Sequence, residues 1–211
     1  MIENEPILIA TPHPDDEILG ASSFFGKKNS ENVTVFYHTE DHQTRDIDIM
    51  REESNRLAEH LRFNKRVSTI DRLAQLDDEP LLHLICEYEE LIREIAPGTL
   101  IVPHPSYNQD HRAVYEAALT AVRPHDEIPF VSRVLVYEGP GCFGILRNGP
   151  AFKPQYFREI DIDRKLFLYS FYQSQMRGHR SPDKVKVIAQ LRGIQCGYKY
   201  AEGFEILRWR E

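Results

Sequence analysis

The sequence predicts an α/β domain with a mostly parallel β-sheet. Two observations carry this. Short β-rich runs alternate with longer amphipathic stretches through the first two-thirds of the chain, and the stretches between strands are long enough to be helices. Alternation of that kind implies βαβ units whose crossover helices cover a parallel sheet.

Pro6–Thr11 (PILIAT) reads as a buried strand, followed by a helix from about Asp16 to Lys28. Val33–His38 (VTVFYH) is the second strand, and Ile47–Arg62 reads as a helix with a charged face. A third strand is expected near Arg66–Ile70, then a helix over Pro80–Ala96 that Pro97–Gly98 brings to an end. Thr99–Val102 is the fourth strand, Asp110–Val122 the next helix and Ser132–Tyr137 the fifth strand. The texture then changes: Gly139–Pro154 holds three prolines and four glycines. With no independent core after it, this stretch reads as a functional loop within the domain. Ile162–Gln175 and Pro182–Tyr198 read as two closing helices. Residues 1–211 are therefore expected to form one domain.

Composition narrows the class. Hydrophobic residues at 41% and charged residues at 28% are those of a globular protein with a substantial core. The net charge of −7 leaves no basic footprint for nucleic acid. It suits a substrate that arrives without strong cationic steering. No apolar run approaches the length of about eighteen residues that a spanning helix needs. The N-terminus lacks the basic start and long apolar region of a signal peptide, so neither membrane nor export is expected. Cys86, Cys142 and Cys196 form neither a C-x-x-C site nor a disulfide framework, which fits a reducing cytoplasm. Each is expected to be small and at least partly buried.

Thr11-Pro12-His13-Pro14-Asp15-Asp16-Glu17 follows the first strand, where open α/β sheets bind ligands. Pro12 and Pro14 stiffen the turn. His13 and Asp16, three apart at a helix start, can bring an imidazole and a carboxylate to one point. A catalytic zinc takes three such ligands plus water, and Asp15 projects differently, free to accept a proton from that water. The competing structural reading makes these acids helix caps and first-turn charges. The histidine clamped between prolines favours a site, while Glu17 is expected to compensate the helix dipole.

A third ligand should come from another strand's carboxyl end. Pro103-His104-Pro105-Ser106-Tyr107-Asn108-Gln109-Asp110-His111-Arg112 lies there, at the end of the fourth strand. His111 is the candidate ligand, and Asp110 can orient an imidazole or accept its proton. His104 reads as a further ligand, an acid or a polar turn residue.

Together these segments resemble the LmbE-like, or PIG-L, family of zinc-dependent N-deacetylases. ILIATPHPDDEILG matches its first signature and NQDHRAVYEAA its second, with weaker similarity through MREESNRLAEHL, SFYQSQM, RSPDKV and LRGIQCGYKYAEGFEIL. The resemblance implies a Rossmann-like three-layer domain that removes acyl groups, usually acetyl, from amino sugars or their conjugates. It implies Zn2+, or Fe2+ in its place, held by His13, Asp16 and His111, with Asp15 as general base. It makes Arg51 a candidate for holding substrate and leaves room for a homo-oligomer. It also implies that the His179–Pro182 segment borders the site.

The sequence departs from the family at Asn108, where several members have histidine in H-x-D-H. An amide can hydrogen-bond an oxyanion but cannot deliver a proton. The leaving amine's proton is then left to His104, Tyr107 or protonated Asp15, and the oxyanion to the metal with Asn108 or Arg51. Ser22-Ser23 stands where the family often has Gly-Gly. His38, Glu40, Asp41 and His42, after the second strand, read as a solvated loop on the ligand-binding side. Tyr169, Tyr172 and Met176 read as core, and Arg192 as a surface helix charge. Two rival readings are an amidase acting on a thiol conjugate or peptide-like amide, and a binding domain that keeps the metal without hydrolysis.

Overall fold

The structure, a computed structural model, describes residues 5–26, 30–40, 47–70, 75–139 and 151–211. Five strands pair in parallel: β1 (Ile7–Thr11), β2 (Val33–Tyr37), β3 (Asn64–Val67), β4 (Thr99–Pro103) and β5 (Arg133–Tyr137). A closing pair, β6 (Tyr156–Glu159) and β7 (Ala201–Trp209), adds antiparallel at the β5 edge. The sheet order is β3-β2-β1-β4-β5-β7-β6. The helices are α1 (Asp16–Ala21), α2 (Ile47–Leu61), α3 (Leu81–Ile95), α4 (Gln109–Ala121), α5 (Ile162–Tyr169) and α6 (Pro182–Cys196). This is the expected mostly parallel, three-layer α/β architecture.

The apolar strands are buried on both faces, which is why they read as continuous hydrophobic runs. Ile7 and Ile9 of β1 face a core shared with Ile18, Leu57, Leu168, Tyr169, Tyr172 and Val185. Leu8 and Ala10 of the same strand face α3 and α4, among Leu84, Tyr88, Ile92, Val114 and Ala118. Tyr169 and Tyr172 are fully buried, as expected of core, with Met176 packed against them.

Four expectations shift. The first helix is shorter than expected: it stops at Ala21 and tightens into a 3-10 turn at Ser22–Phe24. The Glu202 carboxylate accepts from the backbone N–H of Ser22 at 3.0 Å and of Ser23 at 2.9 Å, donors that a continuing helix would spend on its own carbonyls. The Ile162–Gln175 segment likewise breaks after Tyr169, and Glu53 takes the Ser174 N–H at 2.9 Å. The β6–β7 pair was not expected, since four residues of mixed polarity and a strand with a half-exposed end carry little β pattern. The third strand also begins slightly earlier, at Asn64.

Gly20 sets how closely α1 lies on the sheet: a Cβ there would stand 2.1 Å from the Tyr137 ring. The sheet's order reverses direction between β1 and β4. Loops leaving the carboxyl ends of these two neighbours diverge there and open a crevice.

Candidate functional site

His13, Asp15 and Asp16 follow β1, and Asp110 and His111 open α4 after β4, so the two motifs meet at that crevice. One ligating atom each from His13, Asp16 and His111 lies within 4.8 Å of the others. Asp16 Oδ2 is 3.5 Å from His13 Nδ1 and 3.3 Å from His111 Nε2. The other nitrogen of His13, Nε2, donates to Asp110 Oδ2 at 2.9 Å. A carboxylate only accepts, so this bond commits Nε2 as the donor and leaves Nδ1 as the nitrogen that faces the shared point, free to ligate once it carries no proton. Asp110 is fixed in turn by the Leu76 N–H, which donates to Oδ1 at 2.9 Å.

Two imidazoles and one carboxylate converging, with the second nitrogen of His13 oriented by Asp110, are the donor set of a catalytic zinc site, and these residues fit a divalent cation. Electrostatics agree. Burial by itself would depress the His13 imidazolium, but the Asp110 and Asp16 carboxylates raise it to about 9. Burial would raise Asp16, but His111 and then His13 hold it well below the usual carboxylate range. The point attracts positive charge.

Asp15 is different. It occupies the N-cap position of α1 in the left-handed region, φ 107°, and its side chain makes no capping hydrogen bond. A non-glycine residue held there is strained, and such strain concentrates at functional sites. Arg180 Nη1 donates to Asp15 Oδ2 at 2.8 Å, while Oδ1 is buried without a hydrogen-bond partner among the described residues. Burial pushes the Asp15 carboxyl well above its usual value, against the pull of Arg180. The capping reading therefore fails for the first motif.

At the second motif the cap is a residue outside the Asp110-His111 pair. Asn108 is the N-cap of α4, and its Oδ1 accepts from the Asp110 N–H at 2.9 Å. Its amide nitrogen is the group left over. His104 is buried, 2% exposed, with its ring edge-on to Phe152 at 5.4 Å, and burial lowers its pKa. Tyr107 is 48% exposed. The Arg51 side chain is half exposed and pairs with Glu40 at 3.7 Å rather than with the His13, Asp16, His111 group.

Several surrounding residues differ from expectation. Glu17 lies in the first turn of α1 as expected, but it is fully buried, accepts from the Tyr172 hydroxyl and from the Asp15 N–H, and burial pushes it up to about 7. His38 and Glu40 are buried rather than solvated; His38 Nε2 meets the Tyr88 hydroxyl at 2.7 Å, and Glu40 accepts from Ser54 at 2.6 Å. Asp41 and His42 lie outside the described residues. Arg192 is not a surface charge: it is buried, with Nε donating to Glu138 Oε2 at 2.7 Å. The two carboxylates were invisible as partners because they lie 54 and 14 residues from Arg192 and Ser54. Cys86 is exposed rather than buried, Cys196 is half-buried, and Cys142 lies outside the described residues. Of the Gly139–Pro154 loop, Gly139 reaches the site: a Cβ there would stand 3.4 Å from His111 Cε1.

With the fold and these two motifs in place, the class is defined. The family model PIG-L, GlcNAc-PI de-N-acetylase, matches residues 8–122, more than half of the chain, so the chain belongs to that family. Solved structures share the fold throughout. The conserved protein TT1542 from Thermus thermophilus is 23% identical, with a TM-score of 0.74 over 95% of this chain and 93% of its own. N,N'-diacetylchitobiose deacetylase from Pyrococcus horikoshii is 20% identical, with a TM-score of 0.76 over 98% and 85%. The 4-carboxy-2-hydroxymuconate hydratase GalB from Pseudomonas putida is 16% identical, with a TM-score of 0.69 over 98% of both chains. No curated protein sequence matches the chain significantly. Among the described residues no helix is long and apolar enough to cross a membrane.

Proposed function

We propose that the protein is a divalent-metal-dependent hydrolase that removes an N-acyl group, in the simplest case acetyl, from an amino sugar or its conjugate. The observation that carries this reading is the convergence of His13, Asp16 and His111 within 4.8 Å beside a buried Asp15 with one oxygen unpartnered among the described residues. Family membership supports it, as do similar folds in a chitobiose deacetylase and a teicoplanin deacetylase. The 211 residues would act as one cytoplasmic domain on a small molecule, with zinc as the first candidate metal and ferrous iron the second.

Bound by His13, Asp16 and His111, such a cation supplies a Lewis acid for the acyl carbonyl and makes water acidic enough to attack near neutral pH. The chain's own residues do the rest. Asp15 Oδ1 takes the proton from the water as its oxygen bonds to the acyl carbon. Asp15, now protonated, passes that proton to the amine nitrogen as the C–N bond breaks, so one carboxyl serves as base and then acid. Its high affinity for a proton, caused by burial, suits both duties. Asp110 holds His13 in its ligating orientation. The Asn108 amide nitrogen is the candidate donor to the oxyanion, and cannot serve as the acid. Tyr107 and Arg51, both exposed, would meet the sugar at the rim; His104, being buried, would form the wall behind His111.

The test uses purified protein, metal analysis and amine release from a panel of N-acetylated amino sugars. Asp15→Ala is expected to keep its metal and lose turnover by at least ~100-fold, a typical general-base contribution. His13→Ala is expected to lose both. Full turnover in Asp15→Ala would overturn the mechanism, and a metal-loaded wild type inert on every acylated amine would overturn the hydrolase reading.

A further inference from the structure

The segment matching the family model ends at residue 122, yet the partner of Asp15 comes from far beyond it. Arg180 lies 165 residues from Asp15 in the chain, in the 3-10 turn Gly178–Arg180 that leads into α6. Its guanidinium is mostly buried, and Nη1 meets Asp15 Oδ2 at 2.8 Å. The backbone of Arg180 is itself held, because the Tyr169 hydroxyl donates to its carbonyl at 3.0 Å from the buried end of α5.

A carboxylate has two equivalent oxygens, and a free one rotates between them. Here one oxygen is taken, and the other is buried with no hydrogen-bond partner among the described residues. We propose that Arg180 is a positioning residue of this site, fixing Oδ2 of Asp15 so that Oδ1 alone is presented to the reacting water. The inference rests on Asp15 acting as base, as proposed above. In that role a planar guanidinium is superior to an ammonium, since its donors have fixed directions. Tyr169 extends the same device one step outward: α5 sets the Arg180 backbone, and Arg180 sets the base. The closing third of the chain thus contributes to the chemistry as well as to the sheet edge.

The experiment compares wild type, Arg180→Ala, Arg180→Lys and Tyr169→Phe in kcat, KM, metal content and crystal structure. Arg180→Ala is expected to lose about 100-fold in kcat, as an electrostatically preorganised group does when one partner is removed. KM should change less than about threefold, and metal should remain stoichiometric, because no ligand is touched. Added guanidinium should restore part of the kcat of Arg180→Ala but not of wild type, and Arg180→Lys should fall between the two. Tyr169→Phe should lose kcat in the same direction by a smaller factor, which keeps the idea testable if Arg180→Ala does not fold. In the crystal structure of the alanine variant the Asp15 carboxylate should occupy a new rotamer. A raised KM with intact kcat would make Arg180 a substrate-binding group and overturn the proposal, as would an unmoved Asp15 with full turnover. If wild type hydrolyses no acylated amine, the hydrolase reading fails, and the Asp15 rotamer still decides whether Arg180 positions it.

Discussion

His13 Nε2 lies 2.9 Å from Asp110 Oδ2, so residues 97 positions apart decide which nitrogen of the imidazole can bind a cation. The bond commits Nε2, and Nδ1 faces the place where Asp16 and His111 converge. Removing Asp110 should therefore weaken metal binding without removing a ligand. For Asp110→Ala we expect metal affinity to fall roughly 10- to 100-fold, the usual cost of losing an orienting carboxylate. A chelator-competition titration measures it. Unchanged affinity would mean that His13 is oriented by Asp16 alone.

Metal affinity should also depend on pH in a definite direction. Burial opposes protonation of His13, but Asp110 and Asp16 outweigh it and bring its pKa to about 9. A cation must displace that proton to use Nδ1, so protons compete with metal below the pKa and cease to above it. Apparent affinity should rise about tenfold per pH unit from near neutrality and flatten above about 9. The same titration across that range, with His13→Gln as control, tests the slope.

His38 should make the protein acid-sensitive. Burial pushes its pKa from 6.5 down to about 3, while an unfolded chain leaves it near 6.5. Above that value both states are neutral and the residue contributes no pH dependence. As pH falls below it, the unfolded state binds a proton that the folded state refuses. Stability from this group is then lost at about 1.4 kcal/mol per pH unit until the folded pKa is reached. Denaturant melts of wild type and His38→Gln between about pH 4 and 7 should differ by that slope; parallel curves would show that His38 is solvated.

The Lys165–Glu202 pair anchors the end of α1, with Lys165 Nζ 2.5 Å from the carboxylate and both side chains buried. The two variants should not be equivalent. Glu202→Ala strips Lys165 of its counter-charge and the Ser22 and Ser23 N–H groups of their acceptor, and should cost about 3–5 kcal/mol. Lys165→Met leaves Glu202 three donors from those serines and should cost less. Chemical denaturation ranks the two, and a reversed order would assign the anchoring to the cation.

Much of the fold is legible in the residues themselves. PILIAT, VTVFYH and the TLIV run are strands because hydrophobic length and breakers are local properties, and their burial on both faces follows from the parallel sheet they imply. The expectation of a site at His13, Asp16 and His111 is local in the same sense. Each lies just past a strand's carboxyl end, where this architecture opens its crevice.

What the chain could not state locally is which distant group answers which. Asp15 reads as a base with no partner named until Arg180 meets it, and Arg192 reads as a surface charge until Glu138 buries it. Asn108, read as a candidate oxyanion donor, also caps α4. β7 forms on the template that the β5 edge offers, and the short, mixed β6 pairs with β7 in turn. The sequence by itself determined the α/β architecture and the two motifs that meet at β1 and β4. Only the tertiary structure decided the partners of the buried charges, because a buried ion must find its counter-ion through space, and spacing along the chain carries no record of it.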